Sequence, residues 1–240
     1  MFDHVTIRVS DRAASERFYD VVLVRLGLDR TRDSEHFAAW GDFSLAQASA
    51  DRPVTRYLHI GFVAPSRENV DEFWRVGTQA GYPDDGEPGP RPQYSPDYYG
   101  SFLLDPNGNS VEAVHRETHR RGPIDHLWIR VGDLAASTRF YETVAPQTGF
   151  RLRHETGDRA AFVGEDGSFT IVSGTPTEGL HMAFSAAENA TVEEFHRVAT
   201  AAGYADNGIP GERLIYHAGY YGAFILDPDG NNIEVVNHNR

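Results

Sequence analysis

Tyr216-His-Ala-Gly-Tyr-Tyr-Gly-Ala-Phe-Ile-Leu-Asp-Pro-Asp-Gly-Asn-Asn-Ile-Glu234 is the stretch whose reading decides the fold. The apolar run Phe224 to Leu226 predicts an extended strand. Asp227-Pro228-Asp229-Gly230 predicts a tight turn, because proline presets φ at the second position and glycine supplies a backbone that turns left-handed. Asn232 to Val236 then predicts a second strand, with Ile233 and Val235 on one face and Glu234 on the other. A carboxylate set opposite two β-branched residues at a hairpin end is either a solvated edge residue or a ligand.

The same pattern occurs earlier in the chain. Tyr94 to Ala113 matches Tyr216 to Val235 at eleven of twenty positions, and Glu112 falls on Glu234, an offset of 234 − 112 = 122. That offset also superposes Asp3-His4 on Asp125-His126, Phe18-Tyr19 on Phe140-Tyr141, His59 on His181 and Gly81-Tyr82 on Gly203-Tyr204. No net insertion separates the copies. The chain is a tandem duplication, with halves expected at residues 1–119 and 123–240 joined by a short polar linker, Thr118 to Pro123.

Composition bounds the function. With 40% hydrophobic and 12% aromatic residues in 240, each half can bury a core of its own. No apolar run approaches the roughly 20 residues of a membrane span, and the sequence after Met1 shows no signal-peptide pattern. The absence of cysteine excludes disulfide and thiolate chemistry and makes a cytoplasmic setting the expectation. A formal net charge of −13 argues against nucleic acid and anionic membrane as partners.

Read in order, Val5, Ile7 and Val9 alternate with His4, Thr6 and Arg8 as a strand. Ser10 and Asp11 are N-cap candidates for a helix to about Leu26, stopped by Gly27. Residues 35–48 predict two short strands around Gly41-Asp42. Arg56 to Val63 predicts another strand, with His59 and Gly61 on the face opposite Leu58, Ile60 and Phe62. Pro65-Ser66 opens a second helix that turns Val70, Phe73 and Trp74 inward and closes near Gly81. Pro83 to Pro96 reads as a Pro/Gly-rich loop before the Tyr94–Glu112 hairpin. Repeated in the second half, the order gives four strand–helix–three-strand units in an α+β architecture with cupped mixed sheets.

Of eleven histidines, only His4/His126 and His59/His181 recur between the copies. With Glu112 and Glu234 they supply two histidines and one strand carboxylate per half. The matched pair Glu72/Glu194 lies in a helix and reads as solvated surface. An isolated strand histidine is usually a hydrogen-bonded core or surface residue. Two imidazoles plus one carboxylate, recurring on like-facing strand positions, form instead the facial donor set of non-haem Fe(II) and related ions.

These motifs carry a resemblance. Asp-His opening each half, Leu-His-(Ile/Met)-x-Phe in the middle and Asp-Pro-(Asn/Asp)-Gly-Asn-x-(Val/Ile)-Glu at the end look like the vicinal oxygen chelate superfamily, over nearly the whole chain. That superfamily includes glyoxalase I, extradiol dioxygenases, fosfomycin-resistance proteins and bleomycin-binding proteins. The resemblance implies paired βαβββ units around a divalent metal: Fe(II), Mn(II), Ni(II), Co(II) or Zn(II). It implies His4, His59 and Glu112, and His126, His181 and Glu234, as ligands. Grouping within each half is the expectation, since each half carries a full set; exchange of the first histidines is the alternative. Gln47 stands where the family often has a fourth ligand, with Ser173 at that place in the second half.

Glyoxalase-type proton transfer resembles a design with a carboxylate at the fourth place, which neither half offers. His217 resembles the acid/base histidine of extradiol enzymes, and Tyr221 joins it as a catalytic candidate. Those enzymes usually carry Tyr where this chain has Phe102 and Phe224. Trp128, Arg130 and Tyr220 are the substrate-binding candidates, and the second half is the better equipped, with Ser95 and Thr6 standing in the first at the places of His217 and Trp128. The expected function is a metal-dependent, dioxygenase-like enzyme acting on a small oxygenated metabolite. Its alternatives are a glyoxalase-like isomerase or lyase and a non-catalytic binding or resistance protein. The expected partner is a small-molecule substrate, with a homodimer left open.

Overall fold

The computed structural model describes residues 2–117 and 120–240, so Thr118 and His119 of the linker lie outside the described residues. Its elements form four successive strand–helix–three-strand units. The first is β1 (Phe2–Val9), α1 (Arg12–Leu23), β2 (Arg32–Asp33), β3 (Phe37–Trp40) and β4 (Phe43–Gln47). The second is β5 (Leu58–Val63), α2 (Arg67–Gln79), β6 (Asp84–Pro90), β7 (Tyr99–Leu104) and β8 (Ser110–His115). The third is β9 (Ile124–Val131), α3 (Leu134–Thr148), β10 (Arg151–Glu155), β11 (Arg159–Val163) and β12 (Ser168–Ser173). The fourth is β13 (His181–Ser185), α4 (Asn189–Ala201), β14 (Asp206–Glu212), β15 (Tyr221–Leu226) and β16 (Asn232–Asn237). The expected α+β class and unit order are what the chain adopts.

The strands make two mixed eight-stranded sheets, ordered β14-β15-β16-β13-β1-β4-β3-β2 and β10-β11-β12-β9-β5-β8-β7-β6. By compactness the chain divides into Thr6–Trp128 and a unit that joins Met1–Val5 to Ile129–Arg240. His4 therefore belongs with the second half of the sequence, and His126 with the first. In Thr6–Trp128 the core is aromatic, with Phe18, Tyr19, Trp40, Phe43, Phe62 and Phe73 fully buried. The other unit repeats it with Phe140, Tyr141, Phe162, Phe169, Phe184 and Phe195. Each such ring contributes roughly 1.5–3 kcal/mol on burial.

The Asp-Pro-x-Gly-Asn turn does more than reverse the chain. Asp105 accepts the backbone N–H groups of Asn107 and Asn109 at 2.8 and 2.9 Å and the Tyr19 hydroxyl at 3.0 Å, so the turn is tied to α1. Asn109 in turn accepts Leu58 N–H at 3.2 Å and donates to Thr55 O at 3.0 Å. This clip sets β5 parallel to β8 with His59 opposite Ser110 and Gly61 opposite Glu112. Asp227, Tyr141, Asn231 and Leu180 repeat it, placing His181 opposite Asn232 and Ala183 opposite Glu234.

Two local expectations are corrected and two are refined. Pro83 to Pro96 is not all loop, because Asp84–Pro90 forms β6. It lies at the sheet edge, where proline costs no ladder bond, and its register breaks around Gly86, whose φ of 155° bulges the strand. Trp74 is half-buried rather than inward, its indole N–H donating to Asp84 at 2.8 Å, while Gly77 takes the buried place beside Leu103. Helix α1 ends at Leu23 and a 3-10 turn, Val24–Leu26, completes it before Gly27 at φ 79°. The offset of 122 fails locally: Phe43 packs on Tyr19 as Phe169 packs on Tyr141, at 4.7 and 4.8 Å. The two-residue turn at Gly41-Asp42 has become the longer loop 164–167, and alignment resumes at Thr55 and Thr177. Glu72 and Glu194 are the surface residues expected, each clasped by an arginine three residues on.

Candidate metal centres

Two groups of donors assemble, and each takes its first histidine from the other half of the sequence. His59, Glu112 and His126 form one; His4, His181 and Glu234 form the other. The expected grouping within halves is thereby corrected. Sequence alone left it open, since an offset common to all three ligand columns is the same for both arrangements.

In the first group, Nε2 of His59 and Nε2 of His126 lie 3.1 Å apart, and each lies 3.0 and 3.2 Å from Oε2 of Glu112. The outward-facing atoms are all committed. Tyr98 donates to Oε1 of Glu112 at 2.6 Å. Ser110 donates to Asp85 at 2.6 Å, which leaves its oxygen to accept Nδ1–H of His59 at 3.0 Å. Asp125 accepts Nδ1–H of His126 at 2.7 Å and is held by Arg116, also at 2.7 Å, and by Arg120. With both Nδ1 atoms protonated, two nitrogen lone pairs and a carboxylate oxygen point at one another. Such an arrangement could hold a cation.

The electrostatics of the metal-free chain say the same. Burial would raise Glu112, but the hydrogen bonds and charges of His126 and His59 lower it to about 2. Burial would likewise depress His126, yet Asp125 and Glu112 raise it to about 9. A proton takes the cation's place. Two donors at right angles, each about 2.1 Å from an ion, stand about 3 Å apart, which is the spacing observed. The donor set fits a divalent ion.

The second group has the same plan and a looser fit. Nε2 of His181 lies 3.0 Å from Nε2 of His4 and 3.0 Å from Oε2 of Glu234, but His4 stands 3.7 Å from that oxygen. Tyr220 donates to Oε1 of Glu234 at 2.7 Å, Asn232 lies against Nδ1 of His181 at 2.5 Å, and Asp3 accepts Nδ1–H of His4 at 2.8 Å. Small residues make room. A Cβ on Gly61 would come within 2.4 Å of the His126 ring, and the equivalent position in the other half carries one, Ala183. His4 is accordingly more exposed, at 26% of its side chain against 8% for His126. Gly100 and Gly222 leave space for the carboxylates, since a Cβ there would approach Oε1 of Glu112 and Glu234 to 2.5 and 2.7 Å.

The other expected site residues are placed as follows. Gln47 is not poised as a fourth ligand: its amide donates to Val9 O and Ser10 O at 3.1 and 3.0 Å and accepts Arg12 N–H at 3.2 Å. Ser173, at the equivalent place, pairs through its backbone with Asp158. Tyr221 gives its hydroxyl to Glu193 on α4, as Tyr99 does to Asp71 on α2; the tyrosines at the donor groups are Tyr220 and Tyr98. Arg130 is exposed on β9, its backbone paired with Thr177. Trp128, two residues beyond His126, sits with Tyr94 at 6.3 Å, so it accompanies the His59–Glu112–His126 group and not His217. His217 is linked to His4 through His238 and Asp3. Asp3, Asp125 and His238, which hydrogen-bond behind the donor groups, were missed as candidate site residues, although the recurring Asp-His dipeptide was a signal for the first two.

Both halves match one family model, described as Glyoxalase/Bleomycin resistance protein/Dioxygenase superfamily, over residues 1–113 and 123–235. Comparison with curated proteins gives no match. Among solved structures, glyoxalase I from Zea mays superposes with a TM-score of 0.69 at 20% identity, covering 99% of this chain and 92% of that one. A single-residue variant of the same enzyme gives 0.73 at 20% identity over the same shares. A Bacillus subtilis protein named as a candidate dioxygenase gives 0.68 at 14% identity, covering 100% of this chain and 85% of its own. At these identities the likeness establishes the fold.

Proposed function

The chain belongs to the Glyoxalase/Bleomycin resistance protein/Dioxygenase superfamily, and from that premise we propose that it is a divalent-metal-dependent enzyme with dioxygenase-like activity. Its substrate is a small oxygenated metabolite that chelates the metal through vicinal oxygens. The observation that carries this reading is the pair of two-histidine, one-glutamate groups whose inner donor atoms converge, at 3.0 to 3.2 Å in one and 3.0 to 3.7 Å in the other. His4, His181 and Glu234 would hold one ion and His59, Glu112 and His126 a second, with Fe(II), Mn(II), Co(II), Ni(II) and Zn(II) as candidates. Such an ion, when bound, supplies Lewis acidity to the chelated substrate and, if iron, the means to activate O2.

The protein's own part is to fix the donors. Tyr98 and Tyr220 hold the glutamates, and Asp125 and Asp3 hold the histidine tautomers. Three protein donors leave coordination positions for a bidentate substrate. A glyoxalase-like reading asks for a carboxylate base beside the metal, and Gln47, the residue nearest to that role in sequence, spends its amide on the backbone. The His4–His181–Glu234 group is the better candidate for turnover, being more open and linked to the titratable pair His217 and His238.

The test is to purify the full chain without chelator, load it with each ion under argon, and follow O2 uptake with a panel of catechols. Uptake is expected with Fe(II) or Mn(II), lost in Glu234→Ala and largely kept in Glu112→Ala. Isomerisation of hemithioacetals without O2 uptake would replace this reading by the glyoxalase-like one. Tight ligand binding with neither reaction would point to a binding protein.

A further inference from the structure

The two groups differ in what stands behind the carboxylate that orients the first histidine. Asp125 faces Arg116, a permanent cation. The equivalent of Arg116 at the offset of 122 is His238, which meets Asp3 at 2.8 Å through Nε2. Its other nitrogen, Nδ1, meets Nε2 of His217 at 2.9 Å, and Nδ1 of His217 meets Ala218 O at 2.8 Å. Ser95 stands at the place of His217 in the other half.

Hydrogen-bond counting fixes the charge of this chain of groups. A carboxylate and a backbone carbonyl only accept, so Nε2 of His238 and Nδ1 of His217 must both carry protons. Each ring, if neutral, then has a bare lone pair on its inner nitrogen, and two lone pairs cannot face each other at 2.9 Å. One further proton must lie between them. Three protons on two imidazoles give the pair a single positive charge, the same charge that Arg116 brings to Asp125. Among the described residues, the charged and titratable groups beside the pair are Asp3 on β1, Tyr220, and Arg240, whose Nη2 lies 3.5 Å from Nε2 of His217; farther out, Tyr216 packs on Tyr220 and Glu212, at the end of β14, accepts Gly219 N–H. Arg240, a permanent cation on the His217 side of the pair, favours the shared proton on His238.

We propose that His217 and His238 form a proton-charged pair that replaces Arg116 at the His4–His181–Glu234 group, positions Asp3 against His4, and gives up its shared proton to solvent when a divalent cation enters that group. The inference rests on the metal-site reading above. Its physical basis is reciprocity: positive charge on the pair and positive charge at His4 disfavour each other, so each binding event weakens the other. Arg116 is subject to the same repulsion and cannot deprotonate. The two groups, alike in their ligands, therefore differ in the protons they exchange with the cation.

The experiment uses the full chain and Co(II) alone as probe. Protons released per chain are read by an indicator dye in weak buffer near pH 6.5, with bound Co(II) counted by its absorption. Wild type should release up to one proton per chain more than His238→Arg at equal Co(II) loading, and His217→Ser should also lose the excess. Equal release from all three at equal loading would overturn the coupling. If the chain takes up no Co(II), the metal-site reading fails, and the coupling with it. The pair itself is still read from ¹⁵N spectra of metal-free protein, where three N–H protons across the two rings are expected and two would refute the pair.

Discussion

Tyr98 and Tyr220 place their hydroxyls on the outer oxygens of Glu112 and Glu234, whose side chains are each 1% exposed. Burial, with the glutamate's charge behind it, pushes both phenols well above their ordinary range, so they act as donors and not as acids. A hydrogen bond to a buried charge is worth roughly 1.5–3 kcal/mol. Tyr98→Phe and Tyr220→Phe should each lose about that much in urea denaturation and weaken metal retention at their own group, and an unchanged midpoint would show that the bond carries no energy. Protonation at the His59–Glu112–His126 group gives a second expectation, for the metal-free chain. Glu112, lowered from 4.5 to about 2, adds stability that is present above pH 4.5 and lost as the pH falls through 2. His126, raised from 6.5 to about 9, adds stability that is present below pH 6.5 and lost as the pH rises through 9. Both are whole between about 4.5 and 6.5. In chelator, the urea midpoint should therefore fall from pH 6.5 to 9, and His126→Gln should flatten that fall; a wild-type midpoint that holds steady or climbs over this range would contradict it.

At the level of elements, the Asp-Pro-x-Gly-Asn turn explains why a motif 46 to 50 residues from His59 controls it. The turn's asparagine holds Leu58, one residue before the histidine, and the glycines of neighbouring strands clear space for the ligands. Gly61 is the sharpest case. Its replacement by alanine would bring a Cβ to within 2.4 Å of the His126 ring, so Gly61→Ala should drive the ring outward toward the spacing seen at His4. A loss of roughly tenfold or more in metal affinity at that group is expected, because it costs one donor's alignment. Ala183→Gly should be tolerated at the other group; equal Co(II) affinity for Gly61→Ala and wild type would show that the contact relaxes freely. These dependences were only partly legible in the sequence. Alternation and cap residues announced β1, α1 and β5, since local chemistry decides them. The edge strand β6 was hidden in Asp84–Pro90, because proline and glycine tolerated at a bulged edge look like a loop. Tyr221 and Tyr220 are adjacent and alike in composition, and only the position at which β15 begins separates the one bound to α4 from the one bound to Glu234.

At the scale of the whole molecule, the duplication announced all six candidate ligands but not their grouping. Every ligand column repeats at the same offset, so a chain that groups His4 with Glu112 and one that groups it with Glu234 have the same sequence signature. Three-dimensional pairing breaks the tie: Met1–Val5 is compact with Ile129–Arg240, and Thr6–Trp128 holds the other three ligands. Paired substitutions in the full chain read this grouping directly. His4→Ala with Glu234→Ala removes two donors from one group and leaves the other intact, so about one ion per chain should remain of the two bound by wild type. His4→Ala with Glu112→Ala removes one donor from each group, and two remaining donors hold a divalent ion weakly, so retention after desalting should fall toward zero. Grouping within halves predicts the reverse order, with His4→Ala and Glu112→Ala sparing one ion. The counts are taken by elemental analysis after loading with Co(II), with folding of each variant checked by circular dichroism. More metal in the His4→Ala, Glu112→Ala protein than in the His4→Ala, Glu234→Ala protein would overturn the exchanged arrangement and return the ligands to their own halves.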